Sequence, residues 1–196
     1  IAWINEKLIF INTRFSCLAT VSEKYSFEPI WRPKFVTALQ PEDRCHLNGF
    51  AAGAGGIKFL TALGKTDTAD GWRENKRSGG VIVSYPDSEI VSTGLSMPHS
   101  PRLYRGKLWV LESGLGELQT VDQKTGQRTT VARLPGYLRG LTFFDRYAFV
   151  GLCKIRETNT FGGMKVAEMY PELQCAVYVV DIERGEMVEF VRFTKG

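Results

Sequence analysis

The sequence predicts an all-β fold: a β-propeller of four-stranded antiparallel blades, about four of them in the 196 residues, forming part of a larger ring. Three observations carry this expectation. Helical periodicity is almost absent, while short β-rich runs bounded by turn residues recur along the chain. The runs group into units of roughly 40 to 50 residues with four strands each, the spacing of propeller repeats. Two phrases also match, Val121-Asp122-Gln123-Lys124-Thr125-Gly126 and Val180-Asp181-Ile182-Glu183-Arg184-Gly185. Each is a strand, an aspartate and a glycine-closed turn, as expected at the outer hairpin of a blade. An antiparallel sandwich would use similar strands, but the repeated strand order and the recurring glycine turn of the inner hairpin favour the propeller.

Taken in order, the blades are expected at about residues 1–40, 44–95, 97–135 and 138–196. In the first, Ile1 to Ile4 and Leu8 to Asn12 flank the turn Asn5-Glu6-Lys7, Phe15 to Val21 follows, and Phe27 to Trp31 supplies a fourth strand. The second opens at Leu47 to Ala52, turns through Gly53-Ala54-Gly55-Gly56 and returns as Ile57 to Leu63. After an insertion it continues with Val81 to Ser84 and Glu89 to Thr93. The third runs Pro101 to Tyr104, Lys107 to Leu111, Glu117 to Val121 and Gln127 to Ala132. The fourth runs Gly140 to Phe144, Tyr147 to Leu152, then, past a second insertion, Ala176 to Val180 and Glu186 to Phe193. The chain opens in a strand and ends just after one, so it is expected to be a cut from a longer array of blades.

The totals bound the function classes. At 43% hydrophobic residues the chain can bury a core. Charged residues make up 23%, with a net charge of +4 and both signs scattered, so the clustered basic footprint of a nucleic-acid binder is missing. No apolar run reaches the ~20 residues of a membrane helix, and a soluble cytoplasmic protein is expected. Cys17, Cys45, Cys153 and Cys175 form no C-x-x-C pair, which speaks against a zinc ribbon or a thioredoxin-type centre. Cys153 and Cys175 bracket the second insertion and are read as thiols.

In a blade, the loop entering the innermost strand lies on the same face as the loop joining the second and third strands. Aligning the inner hairpins on their turns places Asn48, His99 and Arg139 at equivalent positions around one mouth of the channel. The loops Asn12-Thr13-Arg14 and Glu112-Ser113-Gly114 and both insertions, 64–80 and 154–174, should open on that face, and long loops are disproportionately functional. His99 and Glu112 are the candidate catalytic pair. Asn48, Arg102, Arg139, Arg73, Trp72 and Arg14 are candidate ligand-binding residues, because arginines at one mouth suit an anionic group such as carboxylate or phosphate. Trp72 either pins its loop against the blade or stacks on a ligand. His46, the second of two histidines, joins His99 and Glu112 as a candidate set for a divalent cation, which would polarise a carbonyl or acidify a water.

Several apparent motifs fail. Gly64-Lys65-Thr66 lacks the leading glycine of a phosphate-binding loop. Gly53-Ala54-Gly55-Gly56 opens a strand rather than a helix and lacks the third glycine of a dinucleotide fingerprint. Asp67 and Asp70 do not have calcium-loop spacing, and there is no Gly-x-Ser-x-Gly elbow.

The phrases Asn12-Thr13-Arg14-Phe15-Ser16-Cys17-Leu18-Ala19-Thr20, Cys45-His46-Leu47-Asn48-Gly49, Gly71-Trp72-Arg73-Glu74-Asn75-Lys76 and Gly94-Leu95-Ser96-Met97-Pro98-His99-Ser100-Pro101-Arg102 resemble an uncharacterised, mostly bacterial family of predicted β-propellers. Arg139-Gly140-Leu141 and Ile155-Arg156-Glu157-Thr158 fit the same family. The resemblance implies a propeller longer than this chain and carries no established activity. More distantly the architecture is similar to gluconolactonase-like and streptogramin-lyase-like propellers, which implies a metal or a His/Glu site at the channel mouth by fold analogy alone. The expected function is binding of a small anionic ligand at that mouth. The alternatives are a metal-assisted lyase or hydrolase, and a scaffold whose rim docks a partner protein or an additional chain completing the ring.

Overall fold

The computed structural model describes residues 1–155 and 162–194. Among these, the strands form four separate four-stranded antiparallel sheets, each a meander in sequence order. The first sheet holds β1 (Ala2–Ile4), β2 (Lys7–Asn12), β3 (Cys17–Thr20) and β4 (Glu28–Trp31). The second holds β5 (Leu47–Gly53), β6 (Gly56–Ala62), β7 (Gly80–Ser84) and β8 (Ile90–Leu95). The third holds β9 (Pro98–Tyr104), β10 (Lys107–Glu112), β11 (Glu117–Val121) and β12 (Arg128–Arg133). The fourth holds β13 (Tyr137–Phe144), β14 (Tyr147–Cys153), β15 (Ala176–Asp181) and β16 (Glu186–Arg192). The innermost strands β5, β9 and β13 stand side by side in that order, so the sheets are the blades of a propeller.

Blades buried on both faces need strands that are apolar at every position rather than at alternate ones, and the chain writes them that way. In β10, Leu108 and Val110 enter the apolar layer shared with blade 2, while Trp109 and Leu111 enter the layer shared with blade 4. In β7, Val81 and Val83 face blade 1 and Ile82 faces blade 3. Among the described residues, blade 4 is covered on one side only. Ala148, Val150, Leu152, Ala176, Tyr178 and Val180 pack on blade 3, whereas Phe149, Val177 and Val179 of the opposite face stay half-exposed. Blade 1 mirrors this, with Ile9 in the layer toward blade 2, Leu8 and Phe10 half-exposed, and Trp3 70% exposed.

Each junction is also stitched near the axis. The innermost ladders slip register between Leu47 and Gly49, between Trp109 and Leu111 on the β10 side of β9, and between Leu138 and Leu141. Leu47, Pro98 and Leu138 each lie six residues before the residue that closes the inner hairpin, Gly53, Tyr104 or Phe144. Each of their carbonyls accepts a hydrogen bond from a side chain of the preceding blade. Thr13 Oγ1 donates to the Leu47 carbonyl at 2.8 Å, Asn48 Nδ2 to that of Pro98 at 2.9 Å, and Ser113 Oγ to that of Leu138 at 2.7 Å. Thr13 and Ser113 are equivalent, each directly following its second strand. In blade 2 that position is Leu63, which has no hydroxyl, and Asn48 supplies the donor instead.

The outer hairpins follow the matched phrases. Asp122 Oδ1 accepts from the backbone of Lys124 and Thr125, and Asp181 Oδ1 from that of Glu183 and Arg184. The closing glycines are left-handed, φ 71° at Gly126 and 73° at Gly185. Each presses on the outermost strand of the blade before it, Gly126 on the carbonyl of Val91 and Gly185 on that of Val131. A Cβ at Gly126 meets both the strained φ and the Val91 backbone, so Gly126→Ala is expected to lower unfolding free energy by about 1–3 kcal/mol in chemical denaturation.

Candidate functional site

The innermost strands border a half-open cavity of about 690 Å³ on the axis. Asn48, His99 and Arg139 each lie five residues before the closing residue of their inner hairpin, and all three line it, joined by Thr13, Ser100 and Arg102. The three expected ring residues are thus brought together. They sit inside the innermost strands rather than in loops ahead of them, because β9 begins at Pro98 and β13 at Tyr137. The register slips of the innermost ladders fall at this same level of each strand.

His99 is 4% exposed, and its tautomer follows from its neighbours. Nδ1 lies 2.8 Å from the Met97 carbonyl and 3.1 Å from Ser113 Oγ. A carbonyl only accepts, and the single Ser113 hydroxyl proton is already given to Leu138. Nδ1 therefore carries the proton, and Nε2 is a bare lone pair. Nε2 is buried and has no partner among the described residues. Burial, and then the neighbouring Arg139 charge, hold the His99 pKa well below its ordinary value, so the ring is neutral.

The cavity is positive. Arg102 lines it, giving Nε to the Leu141 carbonyl at 3.0 Å and Nη1 to the Pro101 carbonyl at 2.9 Å. Desolvation lowers its pKa, yet guanidinium remains charged. Arg139 lies over the Tyr137 ring, 5.2 Å from its centroid. Among the described residues neither arginine forms an ion pair, and no Asp or Glu lines the cavity. Asn48 is largely committed, since Oδ1 accepts from Thr61 Oγ1 at 2.6 Å while Nδ2 reaches Pro98.

The remaining candidates lie elsewhere. Leu111 pairs with His99 and Glu112 with Pro98, so His99 and Glu112 leave opposite faces of blade 3. Glu112 is 2% exposed, and its Oε1 accepts from the Ser96 N–H at 2.9 Å. Its pKa is raised by burial. His46 gives Nδ1 to Asp43 Oδ2 at 2.7 Å. Among the described residues no three His, Cys, Asp or Glu side chains gather in metal-binding geometry, so His46, His99 and Glu112 are not assembled into a cation site. Trp72 is 1% exposed and donates Nε1 to Asp43 at 3.1 Å, so it pins its loop. Arg73 pairs with Asp70 at 3.1 Å, and neither Arg73 nor Arg14 lines the cavity.

The described residues of both insertions pack inward and do not line the cavity. Trp72 of the first and Met164 and Val166 of the second pack with Leu63, Met97 and Tyr137 in one buried cluster. The short helix α1 (Lys165–Met169), unforeseen in the sequence, delivers Val166 to it. Of the second insertion, residues 156–161 fall outside the described residues. Sequence reasoning missed Ser113 as the group that fixes the His99 tautomer and Ser100, whose Oγ accepts from the Gly140 N–H at 3.2 Å. The signal for Ser113 was its alignment with Thr13.

A histidine held neutral in the folded state contributes stability that is complete above its unfolded pKa near 6.5 and is lost as pH falls below it, because only the unfolded chain then gains the proton. Thermal melts of the parent and His99→Phe are therefore expected to diverge between pH 7 and pH 5, with the parent losing more of its stability over that interval.

The chain is similar in structure to the Neurospora crassa Pan2 WD40 domain, at 14% identity and TM-score 0.50, covering 97% of this chain and 50% of that one. It resembles a protein of unknown function from Bacteroides caccae at 12% identity and TM-score 0.55, covering 95% and 57%. It also resembles streptogramin B lyase at 14% identity and TM-score 0.50, covering 97% and 52%. These likenesses show the propeller fold, and the chain spans about half the length of those propellers. No curated protein matches it. Residues 1–196 match one family throughout, and the chain belongs to it: DUF4915, a domain of unknown function.

Proposed function

We propose that this chain binds a small anionic ligand in the axial cavity, with Arg102 and Arg139 as the charge partners and His99 and Asn48 orienting it. One observation carries the reading: two guanidinium groups border one cavity, with no carboxylate in its lining and no ion pair of their own among the described residues. Two guanidinium groups left without a counter-ion beside one cavity favour an incoming anion, which arginine can grip with two parallel N–H donors. A volume of about 690 Å³ is within the ordinary range for small-molecule sites.

The second reading concerns the open faces of blades 1 and 4. Trp3, Leu8 and Phe10 on one and Phe149, Val177 and Val179 on the other correspond to surfaces that bury apolar layers at the internal junctions. Further blades, or a partner protein, would cover them. Solved propellers about twice this length support that reading.

Isothermal titration with a panel of carboxylates and phosphates tests the first. Arg139→Ala and Arg102→Ala are each expected to weaken the best-binding anion by roughly 10- to 100-fold, the loss of one charged hydrogen-bonding partner. Unchanged affinity in both variants overturns the site.

A further inference from the structure

We infer that the axial cavity selects anions that also carry a hydroxyl, because His99 offers the ligand a hydrogen-bond acceptor and no donor. This rests on the anion-binding reading above and adds the class of ligand. The support is the wiring of one ring. Met97 and Ser113 together leave no acceptor role for Nδ1 and so force the proton onto it. Nε2 is then a lone pair on a side chain 4% exposed, at the cavity wall, with no donor among the described residues.

A buried acceptor without a donor is costly unless water or a ligand supplies one. The donor on the ligand is narrowed by the charges nearby. A carboxylate, or the dianion of a phosphate ester, has no proton to offer, and an ammonium would be repelled by Arg102 and Arg139 in the same cavity. A neutral hydroxyl on a molecule whose anionic group meets the arginines satisfies both. Hydroxy acids and hydroxyl-bearing phosphate esters share this chemistry. Asn48 and Ser100 line the same cavity, and the second amide proton of Asn48 and the hydroxyl of Ser100 are further polar groups for a polyol.

Two matched pairs of probes test it: threonate against butyrate, and erythritol 4-phosphate against butyl phosphate, titrated into the full chain. At least one hydroxylated member is expected to bind about tenfold more tightly than its partner, or ~1.4 kcal/mol. Which pair shows the preference distinguishes carboxylate from phosphate. In His99→Phe the preference is expected to collapse to less than about twofold while the dependence on Arg139 persists. Equal binding of both members of each pair, with Arg139→Ala still weakening them, overturns the hydroxyl selectivity and leaves anion binding standing. Loss of all anion binding in the parent overturns both. A readout independent of folding in the variant is the ¹⁵N spectrum of histidine-labelled parent protein, where two histidines give two ring patterns. His99 is expected as the Nδ1-protonated neutral tautomer at pH 7; an Nε2-protonated ring or an imidazolium overturns the proposal.

Discussion

The contact on which the architecture depends is the hydrogen bond that each blade sends to the first-strand carbonyl of the next. Thr13, Asn48 and Ser113 make it at the three junctions, to Leu47, Pro98 and Leu138. Apolar layers supply most of the attraction between blades, but they are non-directional. The polar stitch fixes where along its length each innermost strand meets its neighbour. It operates beside the register slips, at the level where Asn48, His99 and Arg139 line the cavity. The construction that holds the blades together therefore also builds the cavity.

Ser113 joins the two functions in one atom. Its hydroxyl proton goes to the neighbouring blade, which leaves its oxygen to accept from His99 Nδ1. Docking of blade 4 on blade 3 thus sets the protonation pattern of a residue in the cavity wall. Arg102 works the same way, lining the cavity with Nε spent on the Leu141 carbonyl of blade 4.

Much of the fold was legible because propeller blades write their strands in sequence order and close them with recognisable turns. The Asp122 and Asp181 turns, the inner hairpins and the ring of Asn48, His99 and Arg139 could all be read by counting from turn to turn. Two prolines, Pro98 and Pro101, disguised the start of β9, since proline normally interrupts a strand. Glu112 looked like a partner for His99, but a one-residue step in register sends consecutive side chains to opposite faces. Trp72 and the second insertion were read as loops of the channel mouth. Their inward packing was not legible, because an apolar side chain in a loop reads the same whether it meets a ligand or another loop. The His99 tautomer was beyond sequence altogether, as it follows from hydroxyl and carbonyl positions contributed by three separate segments.

The most direct test of the central claim is anomalous diffraction from crystals soaked in selenate, which reports where a tetrahedral anion settles without assuming a ligand. Selenium density within hydrogen-bonding distance of Arg102 or Arg139 inside the axial cavity is the predicted result, and that density should vanish in crystals of Arg139→Ala. Selenate found only on the outer surface, with the cavity empty of it at saturating concentration, would contradict the account.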